Sequence, residues 1–213
     1  PAAYSDDMRL GLTRLILDAV RTGELPRDAL GAAVRRGLRE RELFVTVDLE
    51  ADGFDPACPA DLAAIERAGR EVACAMPGLL QRRLPGFERC YLAALPGRAG
   101  IRESRRLRCR YMLDAEDIAQ GRQFEDAVAV VSWPVELREQ ATGPKFRFPE
   151  SDLPCQIPLR SLQSAAIENV LCAGRCMGAS HIAQASTRVI GSCLATGQAA
   201  GLAAANSLEH ARA

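Results

Sequence analysis

Residues 172–201 read CAGRCMGASHIAQASTRVIGSCLATGQAAG and hold the side chains best suited to chemistry. Cys172 and Cys176 are four apart, and His181 is one of only two histidines in the chain. Ser186 and Thr187 are adjacent hydroxyls, and Gly197 and Gly201 repeat at helical spacing. Three chemistries are open to this set. Paired thiolates bind a soft metal or exchange with disulfides. A helix start receives an anion or a carbonyl oxygen, because its first N–H groups lack intrahelical acceptors and its dipole is positive there. Small residues along one helix face admit another backbone, and the segment is then a buried closing helix. Glycine inside a helix costs about 1 kcal/mol relative to alanine, so either a second helix or a ligand is expected to approach Gly197 and Gly201.

The thiol alternative has the least support. The eight cysteines are irregularly spaced, form no CxxC, and offer Cys172 and Cys176 no matching Cys/His pair. A structural zinc site needs two such pairs. The cysteines are expected to be reduced and mostly buried, Cys176 included, although Arg175 beside it would favour a thiolate. Two histidines cannot support an argued Ser-His-Asp order, and His210, in a polar tail, is expected to be solvated. Trp133 is expected to anchor the core.

The 213 residues suffice for one large domain or two small ones. Charges balance at 27 acidic and 27 basic, and 48% of residues are apolar, so nothing draws the chain globally toward nucleic acid or a membrane surface. No apolar run reaches the roughly 20 residues of a membrane span, and PAAYSDDMRL is not a signal peptide. A cytoplasmic protein is expected. The start at Pro1, without methionine, suggests that residues precede it.

The elements that must position the 172–201 segment read as mixed α/β or α+β. Met8, Leu12, Leu15, Ile16 and Ala19 form one stripe of a helix capped by Ser5. Pro26 suits the start of a second helix, to about Arg41, with Leu30, Val34 and Leu38 inward. ELFVTVDL is β-patterned, and residues 58–86 form a third helix that Pro77 interrupts or ends. FERCYLAAL, GIRESRRLRCRYML and DAVAVVSWPVEL read as strands, DAEDIAQGR as a short acidic helical turn, and EQATGPKFRFPESDLP as a loop or hairpin. IENVLCAGR is a short apolar strand running into Gly174, which serves close backbone approach or an unusual dihedral. A last helix spans about 188–206, with Ser186 and Thr187 as its caps. Helices and middle strands are expected to share one core, a layer each.

IENVLCAGRCMGASHIAQASTRVIGSCLATGQAAGLAAA resembles the C-terminal signature of FAD-dependent oxidoreductases of the glutathione-reductase-like flavoprotein superfamily. The 84–130 stretch with GIRESR, and IPLRSLQSAAIENVLCAGR, resemble the same group, so the likeness covers about 84–205. It implies FAD as cofactor, a small organic substrate and hydride transfer between substrate and flavin. It further implies Gly174, Arg175 and Cys176 along the ribityl chain, with Ser186, Thr187, Arg188 and Val189 at the pyrimidine edge. Gly197 and Gly201 would pack on the Rossmann portion, and His181 and Arg102 would face the substrate as catalytic residues. Arg102, Arg105, Arg106, Arg108 and Arg110 could bind an anionic substrate or a flavin phosphate, and the resemblance favours Arg102 and Arg105; for Arg106, Arg108 and Arg110 a charged strand face balanced by Glu103, Asp114, Glu116 and Asp117 is at least as good a reading.

The family's Gly-x-Gly-x-x-Gly fingerprint for the ADP half is not in this sequence. The resemblance therefore implies a C-terminal portion: a substrate or cap part over 1–165 (helical 1–84, strand-rich 85–165), the strand-turn-helix of an FAD domain over 166–206, and a tail over 207–213. Its partner would be the missing N-terminal Rossmann portion, and alone it would bind FAD weakly or not at all. Its rivals are a non-catalytic cap module that docks on another polypeptide through the glycine face and, more weakly, a thiol redox or metal protein using Cys172 and Cys176.

Overall fold

The computed structural model describes residues 5–50, 53–141 and 143–210. The chain divides into two compact units: Pro1–Ile101 with Arg138–Pro144, and Arg102–Leu137 with Lys145–Ala213. Each has a core of its own, in place of the single shared core expected.

In the first unit α1 (Asp6–Arg21) begins as the sequence indicates, with the Ser5 hydroxyl accepting from the Met8 N–H, and it buries Leu12, Ile16 and Ala19. The helix expected from Pro26 does not form. Residues Arg27–Gly31 make one 3-10 turn, and β1 (Ala32–Arg36) pairs antiparallel with β2 (Leu43–Val47), Val34 opposite Val45. Leu38, expected inward, lies 94% exposed at the hairpin turn. The four-residue apolar spacing that suggested a helix is overridden by a ladder that satisfies the β2 backbone. Helix α2 (Pro59–Arg83) runs through Pro77 without ending. One missing N–H is outweighed by the burial of Val72, Met76, Leu79 and Leu80 on either side of it. Asp48 and Arg138 form a largely buried ion pair.

The second unit carries the 172–201 segment. A capping box starts α3 (Ala115–Ala119): the Asp114 carboxylate accepts the Asp117 N–H, and Asp117 accepts the Asp114 N–H. Buried Asp117 also receives the Tyr111 hydroxyl at 2.7 Å and Arg122 at 2.8 Å. β3 (Ala127–Val131) pairs with β6 (Cys155–Pro158), and β4 (Val135–Leu137) with β5 (Lys145–Arg147), both antiparallel. FERCYLAAL and the Arg-rich segment after it hold no regular strand; the latter enters the fold through single bridges, Cys109 to Ser164 and Leu113 to Ala179. IENVLCAGR likewise contributes one bridge, Leu171 to Gln163; Val170, Leu171, Cys172 and Ala173 are half-buried and Ile167 is exposed. Trp133 is 44% exposed and donates to Glu136 at 3.0 Å, so it is not a core anchor. Gly178 is pressed into this core: a Cβ there would lie 2.5 Å from both Cys109 Cβ and the Tyr111 carbonyl oxygen.

The chain closes with α4 (His181–Thr187) and α5 (Ile190–His210). The sequence showed only the second, and placed its start two residues early. The His210 side chain and residues 211–213 lie outside the described residues. No helix among the described residues is long and apolar enough to cross a membrane.

Candidate functional site

The Ser180 hydroxyl accepts from the Ala183 N–H and starts α4, which is short because Arg188 and Val189 turn the chain. Ser186 and Thr187 therefore close α4 and do not cap the last helix; the Val189 carbonyl accepts the Cys193 N–H in the first turn of α5. Ser186 is buried and its hydroxyl donates to the Trp133 carbonyl. Arg188 donates to the Glu136 carbonyl at 2.6 Å. These two side chains thus hold the α4–α5 elbow against the backbone around β4. Thr187 Oγ1 and Gln184 Oε1, three residues apart on α4, are buried without a hydrogen-bond partner among the described residues. An orphaned buried acceptor costs about 1–3 kcal/mol, so the elbow is polar beyond what its own fold satisfies.

Gly174 takes φ +60° at the head of a 3-10 turn, Gly174–Cys176. Of its two expected uses the dihedral is the one present, since a Cβ there would meet Cys193 Sγ at an ordinary 3.4 Å. The Gly174 N–H donates to Thr196 Oγ1 at 3.0 Å, and that hydroxyl donates onward to the Ser192 carbonyl at 2.8 Å. The turn is thereby fixed to the inner face of α5. Arg175 and Cys176 are exposed on it. Cys176 is not a packing cysteine, and among the described residues the buried cysteines are Cys109 and Cys155. The sulfur nearest Cys172 belongs to Cys109, at 3.5 Å. Burial pushes the Cys172 thiol up to about 12 and raises Cys109 too, the opposite of an activated nucleophile. No cluster suited to a metal ion occurs among the described residues.

Helix α4 also collects the expected substrate-facing residues. His181 is its first residue, with its side chain 47% exposed, and Nδ1 lies 2.6 Å from Glu103 Oε2. The other Glu103 oxygen pairs with Arg106. Gln184 donates to the Arg102 carbonyl at 3.0 Å, so residues 102–106 lie along α4. The 102 and 181 positions are thus neighbours. Glu103, read as charge balance, does pair with Arg106 and in addition joins the two positions; its place directly after Arg102 in GIRES was its sequence signal.

The outer face of α5 is apolar and open. Ile190 is 80% exposed and Leu194 70%; Leu202 and Leu208 continue beyond them. An added Cβ at Gly197 or Gly201 would meet nothing within 4 Å. The inner face holds Ser192 and Thr196 buried, with Ala195, Ala199 and Ala200 against the core.

The chain matches the model of the family described as FAD dependent oxidoreductase over residues 8–213. It belongs to that family. No curated protein and no solved structure matches it. The matched span takes in the first unit from residue 8 onward, although the resemblance read from the sequence began only at about residue 84.

FAD is the cofactor of the family, and the elbow of this family member fits such a group. A flavin presents carbonyl oxygens, ring N–H and phosphate oxygens. The unsatisfied Thr187 Oγ1, the exposed first turn of α5 at Ile190 and Gly191, and the exposed Arg175 are a matching donor set. Ser186 and Arg188 would serve it indirectly, by holding the elbow.

Proposed function

We propose that this chain is the C-terminal portion of an FAD-dependent oxidoreductase that transfers a hydride between a small organic substrate and flavin. The observation that carries the proposal is the open apolar face of α5, with Gly197 and Gly201 at its centre. A soluble surface rarely leaves such a stripe uncovered, and the sequence lacks the Gly-x-Gly-x-x-Gly element that holds the ADP half of FAD. A Rossmann-type nucleotide-binding portion covering α5 answers both.

FAD supplies the two-electron chemistry when bound. The chain's own residues bind and orient. Gly174, Arg175 and Cys176 would flank the ribityl side, with Thr187 and Val189 at the pyrimidine edge beside the first turn of α5. The positive end of α5 favours negative charge there. Arg102 would bind an anionic part of the substrate, and His181 would take or return its proton.

The test is co-expression of the chain with a Rossmann-bearing family segment. A yellow complex with FAD near one per chain, and a colourless chain alone, is the expected result. A complex that forms without flavin instead favours the non-catalytic docking module, which the same α5 face supports. If no complex forms, both are wrong.

A further inference from the structure

His181 begins α4 and keeps its ring about half in solvent, yet its Nδ1 is 2.6 Å from a carboxylate 78 residues earlier in sequence. That carboxylate is itself oriented. Glu103 gives Oε2 to His181 and Oε1 to Arg106, and both acidic and basic partner are only about a quarter exposed, 24% each. The segment bearing Glu103 is fixed by the Gln184 side chain, which donates to the neighbouring Arg102 carbonyl from one turn along α4.

We propose that Glu103 is a positioning residue for His181. It fixes the neutral imidazole as the Nδ1–H tautomer, so that Nε2 is the ring's proton acceptor, while Arg106 holds the carboxylate. The reason is elementary. A neutral imidazole has one N–H and one lone pair, and the nitrogen beside a carboxylate must carry the hydrogen. An imidazole left to itself prefers the proton on Nε2, and a charge-assisted hydrogen bond is strong enough to reverse that preference. A ring turning freely at a half-exposed site would present either nitrogen. Held by Glu103 through Nδ1, the neutral ring carries its lone pair on Nε2, and the imidazolium formed on accepting a proton stays paired with the same carboxylate. Arg106 holds the other oxygen of that carboxylate and so keeps it aimed at the ring. The inference rests on the proposed role of His181 in proton transfer, but its geometry does not depend on flavin.

The experiment is ring-nitrogen NMR on the chain as it stands, with 15N-labelled histidine at mildly alkaline pH. The variant His181→Gln assigns the two histidines. The expected spectrum of the wild type has a pyrrole-type Nδ1 and a pyridine-type Nε2 at His181. In Glu103→Ala the tautomer ratio shifts by about tenfold or more toward Nε2–H, with amide spectra otherwise retained. Arg106→Gln shifts it in the same direction by less. A wild-type ring that is mainly Nε2–H overturns the proposal, and that measurement requires no variant to fold. An unchanged ratio in a folded Glu103→Ala chain overturns it as well. Failure of FAD uptake in the co-expression test, with the Nδ1–H tautomer intact, would instead count against the flavin assignment alone.

Discussion

Replacing Gly197 and Gly201 with alanine separates the intrinsic stability of α5 from the purpose of its open face. Neither glycine has a positive φ, and an added Cβ meets no atom within 4 Å at either. Both lie inside a 21-residue helix. Each substitution therefore gains helix propensity and narrows the unfolded ensemble, with no steric cost, for about 0.4–1 kcal/mol apiece. The double variant should be about 1–2 kcal/mol more stable as an isolated chain. In a unit of about one hundred residues that raises Tm by roughly 4–8 °C per kcal/mol, readable by a circular dichroism melt. Against a Rossmann-bearing portion the sign reverses. Two methyls driven into a close backbone approach cost about 1–3 kcal/mol, which loosens the complex about tenfold or more by titration calorimetry. A lower Tm in the isolated variant would mean that the face is already covered, by a second copy of the chain. A higher Tm with unchanged association would mean that partner docking happens elsewhere, and the reasoning about α5 would fail.

Gly178→Ala makes the opposite case. Its Cβ would stand 2.5 Å from Cys109 Cβ and from the Tyr111 carbonyl oxygen, and the local backbone is pinned by hydrogen bonds from Gly178 to Ser161 at 2.8 Å and from Leu113 to Gly178 at 3.0 Å. We expect a loss of about 2–3 kcal/mol, and a melt matching wild type would contradict the packing described. Burial, with the Asp117 hydrogen bond and charge behind it, pushes the Tyr111 phenol up to about 12 from its ordinary 10.0. The folded state thus prefers the neutral phenol: its contribution is whole below pH 10 and lost as pH rises toward 12. Tyr111→Phe should flatten that part of the alkaline unfolding curve, and superimposable curves would refute it. Asp48→Ala, which removes the acidic partner of the largely buried pair with Arg138, should cost about 3 kcal/mol in urea unfolding; a change within error would show the pair to be solvated.

Local signals in the sequence were enough for the elements that satisfy themselves locally. Ser5 and the apolar stripe after it determined α1, Asp114 with Asp117 determined α3, and the branched residues of LFVTV determined β2. The order of motifs from GIRESR to GQAAG determined the family. Where a partner strand decides the backbone, the same signals failed: Leu30, Val34 and Leu38 have helical spacing, but pairing of Ala32 with Val47 turned them into a hairpin. The short helix α4 was hidden because its residues are small and polar and mostly buried by neighbours far away in sequence, leaving no apolar stripe to read. The candidate site is divided in the same way. Its residue types stand in the sequence, and Gly174, Arg175, His181 and Thr187 were all named from it. That Ser186 and Arg188 hold the elbow, that Cys172 meets Cys109, and that Glu103 reaches His181 across 78 residues are decisions of the tertiary fold. Propensity and capping act within a few residues of chain, whereas a carboxylate meeting an imidazole is set by which surfaces two distant segments bury together.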